Sequence, residues 1–289
     1  MGVEKSQRLT LPMPRRIALF TRGRISSIAL RSGRLRFLYY DITRTVRRKD
    51  ISICQQRYSK SILLSVGGVT YSEGGFRTAS QAMYGADLLW ATFGPQSPAS
   101  QALRPFGPAM VDGFDLDFEM KVDNVLPFAT RLRALMDADR ARTGKQWLLT
   151  IAPQCPYPDQ ANNAMLNNEI YFDAVWVQYY NNVCGLQSFD SNSSTQDTFN
   201  FDTWNTWARH VSRNPSVKIF LGIPGAPGAA SIGYRSTYEL RPIFEYCKQF
   251  PSFGGVMVWD ASQAYANVNF LPNIKLDLLN LDTATINGC

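Results

Sequence analysis

From residue 61 onward the chain alternates short apolar runs with longer amphipathic stretches, and that alternation sets the class of fold it can adopt. The runs fall at 61–68 (SILLSVGG), 111–119 (VDGFDLDFE), 146–153 (QWLLTIAP), 172–180 (FDAVWVQYY), 218–224 (KIFLGIP) and 254–260 (GGVMVWD). Helical periodicity covers 78–93, 125–142, 204–212 and 238–250. Strand–helix alternation of this kind predicts an α/β protein with a parallel sheet.

Two such sheets compete, the open doubly wound fold and the closed eight-stranded barrel. A doubly wound dinucleotide binder carries G-x-G-x-x-G after its first strand, and the chain has none. Gly222, Gly225 and Gly228 are spaced by three in a Pro-rich loop and do not make a phosphate loop. Several runs end instead in polar or aromatic residues: Asp117 and Glu119, Gln154, Gln178 to Asn182, Trp259 and Asp260. A β/α barrel places its active site at those strand ends. The expectation is a (β/α)8 TIM barrel whose first two strands are atypical or missing. Six strands are evident, so two should precede residue 61. Residues 35–42 are the better candidate and 25–30 the poorer one.

Charge divides the chain at the same place. Residues 1–60 hold 15 of the 30 Lys+Arg and three acids (Glu4, Asp41, Asp50), a net +12, while residues 61–289 hold 15 bases and 20 acids, a net −5. The overall +7 thus belongs to one end and gives no reason to expect a nucleic-acid partner. Residues 1–50 are expected to be an atypical basic leader, disordered or a mistaken start, and 51–289 the barrel. The leader's apolar runs are too short for the core of a secretory signal, and no run is long enough to span a membrane. Five cysteines without a CxxC, together with one histidine (His210), assemble no zinc site and no Ser-His-Asp triad. Neither metal nor cofactor is expected.

The most informative stretch is Val111-Asp112-Gly113-Phe114-Asp115-Leu116-Asp117-Phe118-Glu119. On a strand, side chains alternate, so Asp115, Asp117 and Glu119 share one face while Phe114, Leu116 and Phe118 take the other. Three carboxyls that close cannot all ionise cheaply, which leaves a protonated acid at hand near neutral pH. Glu119, nearest the open end, is best placed to donate it. Periodicity alone does not distinguish acids lining a barrel from acids on a solvated edge strand.

These residues resemble glycoside hydrolase family 18, whose strand motif DxxDxDxE is filled by Asp112, Asp115, Asp117 and Glu119. The resemblance is to the class III, hevamine-like chitinases in their fungal form. Further matches are Leu64-Ser65-Val66-Gly67-Gly68, Ala152-Pro153-Gln154-Cys155-Pro156, residues 177–182 (VQYYNN) and 254–260 (GGVMVWD). They run from about Asp50 to about Leu271. The family's usual first two strands find no counterpart in residues 1–50.

The resemblance implies an endo-acting, retaining hydrolase of chitin or chito-oligosaccharides in which the substrate's 2-acetamido carbonyl is the nucleophile, an exception to the two-carboxylate scheme. It implies Glu119 as acid/base, Asp117 on the acetamido N–H, Asp115 sharing a proton with Asp117, and Tyr180 on the acetamido oxygen. Trp259 would form the floor under the sugar, with Gln178 as a polar contact. It also implies a Cys155–Cys184 disulfide, secretion, and a monomer. The alternative is a non-catalytic binding or inhibitor protein on the same barrel. Tyr179 faces away from Tyr180 on the strand. Trp90, Trp204 and Trp207 read as packing residues, and Trp176 as a deep barrel position. The loop 224–230 (PGAPGAA) should line the cleft. Asn192-Ser193-Ser194 is a glycosylation sequon that agrees with secretion. The sequence assigns no pairing to Cys54, Cys247 or Cys289.

Overall fold

Closing an eight-stranded barrel takes two strands beyond the six that the hydrophobic pattern displays. The computed structural model describes the backbone of residues 7–11, 16–20, 28–31, 34–37 and 46–284, and the side chains of 50–279. Four short strands come first: β1 (Gln7–Leu11), β2 (Arg16–Phe20), β3 (Ile28–Arg31) and β4 (Arg34–Phe37). Helix α1 (Val46–Gln56) leads into β5 (Lys60–Gly67), followed by α2 (Ala79–Phe93), β6 (Gly113–Asp117) and α3 (Val125–Thr143). Then come β7 (Leu148–Ile151), α4 (Asn163–Leu166), β8 (Ala174–Gln178), α5 (Phe201–His210), β9 (Lys218–Pro224) and α6 (Thr237–Lys248). The chain continues through β10 (Phe253–Trp259), α7 (Ala261–Ala266) and α8 (Phe270–Ala284).

The strands close in the order β1-β10-β9-β8-β7-β6-β5-β2. From β2 through β5 to β10 every pairing is parallel, whereas β1 is antiparallel to both of its neighbours. The barrel is therefore as expected, with atypical opening strands. Their location differs from the expectation: residues 7–11 and 16–20 enter the barrel. β3 and β4, which fall in the two stretches proposed for that role, pair with each other in a separate two-stranded sheet. Connection length explains both outcomes. Four residues separate β1 from β2, and two separate β3 from β4. Parallel neighbours need a crossover of about a dozen residues, so both pairs must be antiparallel hairpins. The expectation of a disordered or unrelated leader also covers stretches between these strands that lie outside the described residues.

Two apolar layers hold the barrel. Phe114, Leu116 and Phe118 face outward into the larger core beneath the helices. Inside the barrel, Leu63, Ala152, Ala174, Trp176, Phe220 and Met257 form a smaller cluster that Tyr180 joins. Trp176 meets Phe220 edge-on at 4.4 Å. Both faces of β6 are buried, so the acids line the barrel interior and do not sit on a solvated edge. Each fully buried large apolar side chain contributes about 1.5–3 kcal/mol. Among the described residues, no helix is long and apolar enough to cross a membrane.

A buried titratable cluster lies between β8 and α6. Tyr179 and Cys247 are fully buried, and Tyr246 nearly so. Burial pushes the Tyr179 phenol and the Cys247 thiol well above their ordinary 10.0 and 9.0, and Tyr246 up to about 12. The native state therefore keeps protons that the unfolded chain releases, and stability falls as pH rises past those ordinary values. The denaturation midpoint is expected to hold steady below about pH 8.5 and to decline through pH 9–11, with Cys247→Ala removing the first part of the decline. A midpoint independent of pH up to 11 would contradict this.

Candidate active site

The inward row of β6 is built by its neighbours. Ser65 of β5 and Thr150 of β7 stand in register with Asp115 on either side. Their hydroxyls donate to its Oδ2 at 2.8 Å and Oδ1 at 2.7 Å. Asp115 is completely enclosed (0% exposed), so both of its oxygens are oriented from inside the sheet. One layer higher, Asp117 Oδ1 accepts from Gln178 Nε2 at 3.2 Å, and the same nitrogen donates to Ala152 O at 2.9 Å. Gln178 thus braces Asp117 as well as facing the cleft.

Gly67 lets β5 approach this layer. Its φ is +108°, and a Cβ there would stand 2.4 Å from Asp117 O. Gly68 N donates to that carbonyl at 2.6 Å. A side chain at Gly67 would both strain the backbone and push Asp117 out of line.

Glu119 lies past the end of β6 and is half-buried. It opens into a cleft of about 340 Å³ whose lining includes Gln178, Tyr180, Asn181, Val69 and Trp259. The opposite wall is the small-residue segment 228–231. Asn181 fixes that wall: with φ +58° its Oδ1 accepts from Ser231 N at 2.8 Å and its N–H donates to Ile232 O at 3.0 Å. Gly233 sits where a Cβ would meet Tyr180 Cα at 2.9 Å, so the loop rests directly on the Tyr180 backbone. Trp259 packs against the inner cluster, and its carbonyl accepts from Gly225 N at 2.7 Å.

The structure thus gathers Asp115, Asp117, Glu119, Tyr180, Gln178 and Trp259 at one end of the barrel. Asp112, the first acid of the pattern, stands apart. At the opposite end of β6 it takes Lys145 Nζ at 2.9 Å, Gln55 Nε2 at 2.8 Å and Ile62 N at 2.8 Å. It ties β5 to α1 and to the segment before β7. Tyr179 points outward among Phe199 and Phe201. Trp204 and Trp207 pack in the core and donate to Cys155 O and Leu166 O. The Cys155–Cys184 bond is present, with Cα atoms 5.9 Å apart. Cys54 and Cys247 are free thiols, and Cys289 lies outside the described residues. His210 is exposed. Among the described residues, no group of three or more His, Cys, Asp or Glu is arranged to hold a metal ion.

The sequence pattern assigns no part in the site to Ser65, Thr150 or Asn181, which hold Asp115 and the cleft wall here. A hydroxyl interrupting an otherwise apolar strand (SILLSVGG, WLLTIAP) is the local signal that could have found the first two.

The profile of glycosyl hydrolases family 18 matches residues 25–231. The chain belongs to this family. The match begins within the basic segment and stops short of β10. A class III chitinase of Arthroderma benhamiae is 54% identical over 228 residues, 78% of this chain and 68% of that protein. Endochitinase 33 of Trichoderma harzianum is 43% identical over 221 residues, 76% of this chain and 67% of that protein. Among solved structures, a xylanase and alpha-amylase inhibitor protein from Scadoxus multiflorus superposes with a TM-score of 0.69 at 27% identity. It covers 89% of this chain and 87% of that one. As a family 18 member, the chain carries its acid row in a barrel that relatives use under two descriptions, hydrolase and inhibitor.

Proposed function

We propose that this chain is an endochitinase that cleaves β-1,4 linkages between N-acetylglucosamine units with retention of configuration. The observation that carries the reading is the intact inward row Asp115–Asp117–Glu119, ending in a cleft shared with Tyr180 and Trp259. Glu119 protonates the glycosidic oxygen. The 2-acetamido carbonyl of the same sugar attacks C1, and the leaving chain departs with the proton. Asp117, held by Gln178, accepts the acetamido N–H and stabilises the cationic oxazolinium ring. Asp115, buried beneath and oriented by Ser65 and Thr150, supports Asp117 from within the barrel, while Tyr180 donates to the acetamido oxygen. Trp259 supplies the flat apolar floor. Water then opens the ring with Glu119 acting as base. The disulfide suits an oxidising compartment, and we place the protein outside the cell, acting as a monomer.

A second reading, a non-catalytic inhibitor on this barrel, is favoured by the likeness to the Scadoxus protein. Digestion of chitohexaose separates the two. Fragments of intermediate length are expected early in the reaction, and binding without fragments would favour the inhibitor.

A further inference from the structure

The backbone that leads to Glu119 is held on its β5 side, where Gly68 N donates to Asp117 O. On its β7 side it leaves the ladder, and the Gln154 side chain reaches Glu119 O at 3.5 Å. Up to Leu116, β6 and β7 pair normally: Leu116 faces Ile151, and Ala152 N donates to Leu116 O at 2.9 Å. The next rung of a parallel ladder would join Gln154 N to Phe118 O. That rung is not made. On its other side β7 keeps its register with β8, from Thr150 opposite Ala174 to the Gln154–Gln178 bridge, and Gln178 N donates to Pro153 O at 2.9 Å.

Two side chains from the loop after β7 fill the wedge. Gln154 N donates to Asp159 Oδ2 at 3.1 Å, and Asn162 Nδ2 donates to Phe118 O at 2.8 Å. Asn162 also donates to Asp159 Oδ1, from its backbone N at 2.6 Å and from Nδ2 at 2.8 Å. Asp159 is 3% exposed and Asn162 0%. Buried backbone groups without partners are costly, and this pair supplies both partners. The split between β6 and β7 is therefore propped at a fixed width immediately before the acid.

We infer that Asp159 and Asn162 are positioning residues for Glu119, a side-chain rung that replaces the missing backbone rung and fixes the direction in which the carboxyl enters the cleft. The inference rests on the proposed role of Glu119. Misplacing a reacting group by about 1 Å can cost about 10²-fold in rate. Asn162→Ala is accordingly expected to lower kcat on chito-oligosaccharides about 10²-fold while KM changes less than about threefold. It should also move the pH midpoint at which Glu119 titrates, because the distance to Asp117 changes. That midpoint is read by NMR of glutamate-labelled protein, with Glu119→Gln identifying the resonance.

Asp159→Asn keeps the volume and removes an acceptor. It should act in the same direction and covers the case in which Asn162→Ala does not fold. Folded variants that retain both kcat and the Glu119 midpoint would overturn the inference. So would a loss of kcat that merely tracks lost thermal stability with the midpoint fixed. If the unsubstituted chain itself gives no turnover, the hydrolase reading fails. The midpoint then decides alone: a displaced one supports the rung and an unmoved one refutes it.

Discussion

Glu119→Gln is expected to lower kcat for chito-oligosaccharide hydrolysis by about 10³-fold or more, with little change in KM. The substitution keeps the shape of the side chain and removes its only transferable proton. Proton transfer from a placed side chain contributes about 10²–10⁴-fold, and in the proposed cycle Glu119 acts twice, first as acid and then as base. In the proposed cycle binding rests on Trp259, Tyr180 and the wall at 228–231, which line the cleft beside Glu119. Stability should be unaltered because Glu119 stands past the strand, half-exposed in the cleft. Steady-state kinetics beside a thermal melt make the comparison. Equal turnover by both proteins would remove Glu119 from its assigned role.

Loss of the Cys155–Cys184 bond is expected to have the largest effect on stability. The two cysteines are 29 residues apart, and cross-linking a loop of that length restricts the unfolded chain by about 3–4 kcal/mol. For a chain of 289 residues that corresponds to a fall of roughly 5–7 °C in Tm. The effect should extend to the site. The bond joins the loop after β7, which carries Gln154, Asp159 and Asn162, to the loop after β8, which carries Asn181 and Asn182. Asn182 Nδ2 donates to Gln154 Oε1 across the same gap at 2.8 Å. Trp204 Nε1 and Asn200 Nδ2 both donate to Cys155 O, at 2.9 and 2.8 Å. Thermal unfolding of Cys155→Ser/Cys184→Ser against the parent tests this. Reductant should lower the parent's Tm and leave that of the double variant alone. A Tm insensitive to both changes would contradict the expectation.

How much of this was legible in the sequence depends on the range of the interaction. Strand–helix alternation is local, and it led to the barrel and to its active end. The acid row is local too, since a two-residue period places Asp115, Asp117 and Glu119 on one face wherever the strand lies. Whether that face looked into the barrel was not local. It is decided by Phe114, Leu116 and Phe118 finding helices to pack under. The closing strands were missed because QRLTL and RIALF are five-residue runs that each begin with polar or basic residues. What recruits them is the gap between β10 and β5, which no window of sequence displays. The Asp159–Asn162 rung was invisible for the same reason. Asn162 meets a carbonyl 44 residues away, and its loop carries no periodicity. Asp112 shows the converse, a residue that matches a motif yet serves the strand's other end.

In the proposed cycle the substrate's own acetamido group attacks while Glu119 moves the proton. The most direct test is the anomeric form of the first products when chitohexaose is digested by the full chain and followed by NMR before mutarotation. Two displacements at C1 leave the new reducing end in the β form, and that is the expected result. An initial α product would require a single displacement by water and would exclude attack by the acetamido group.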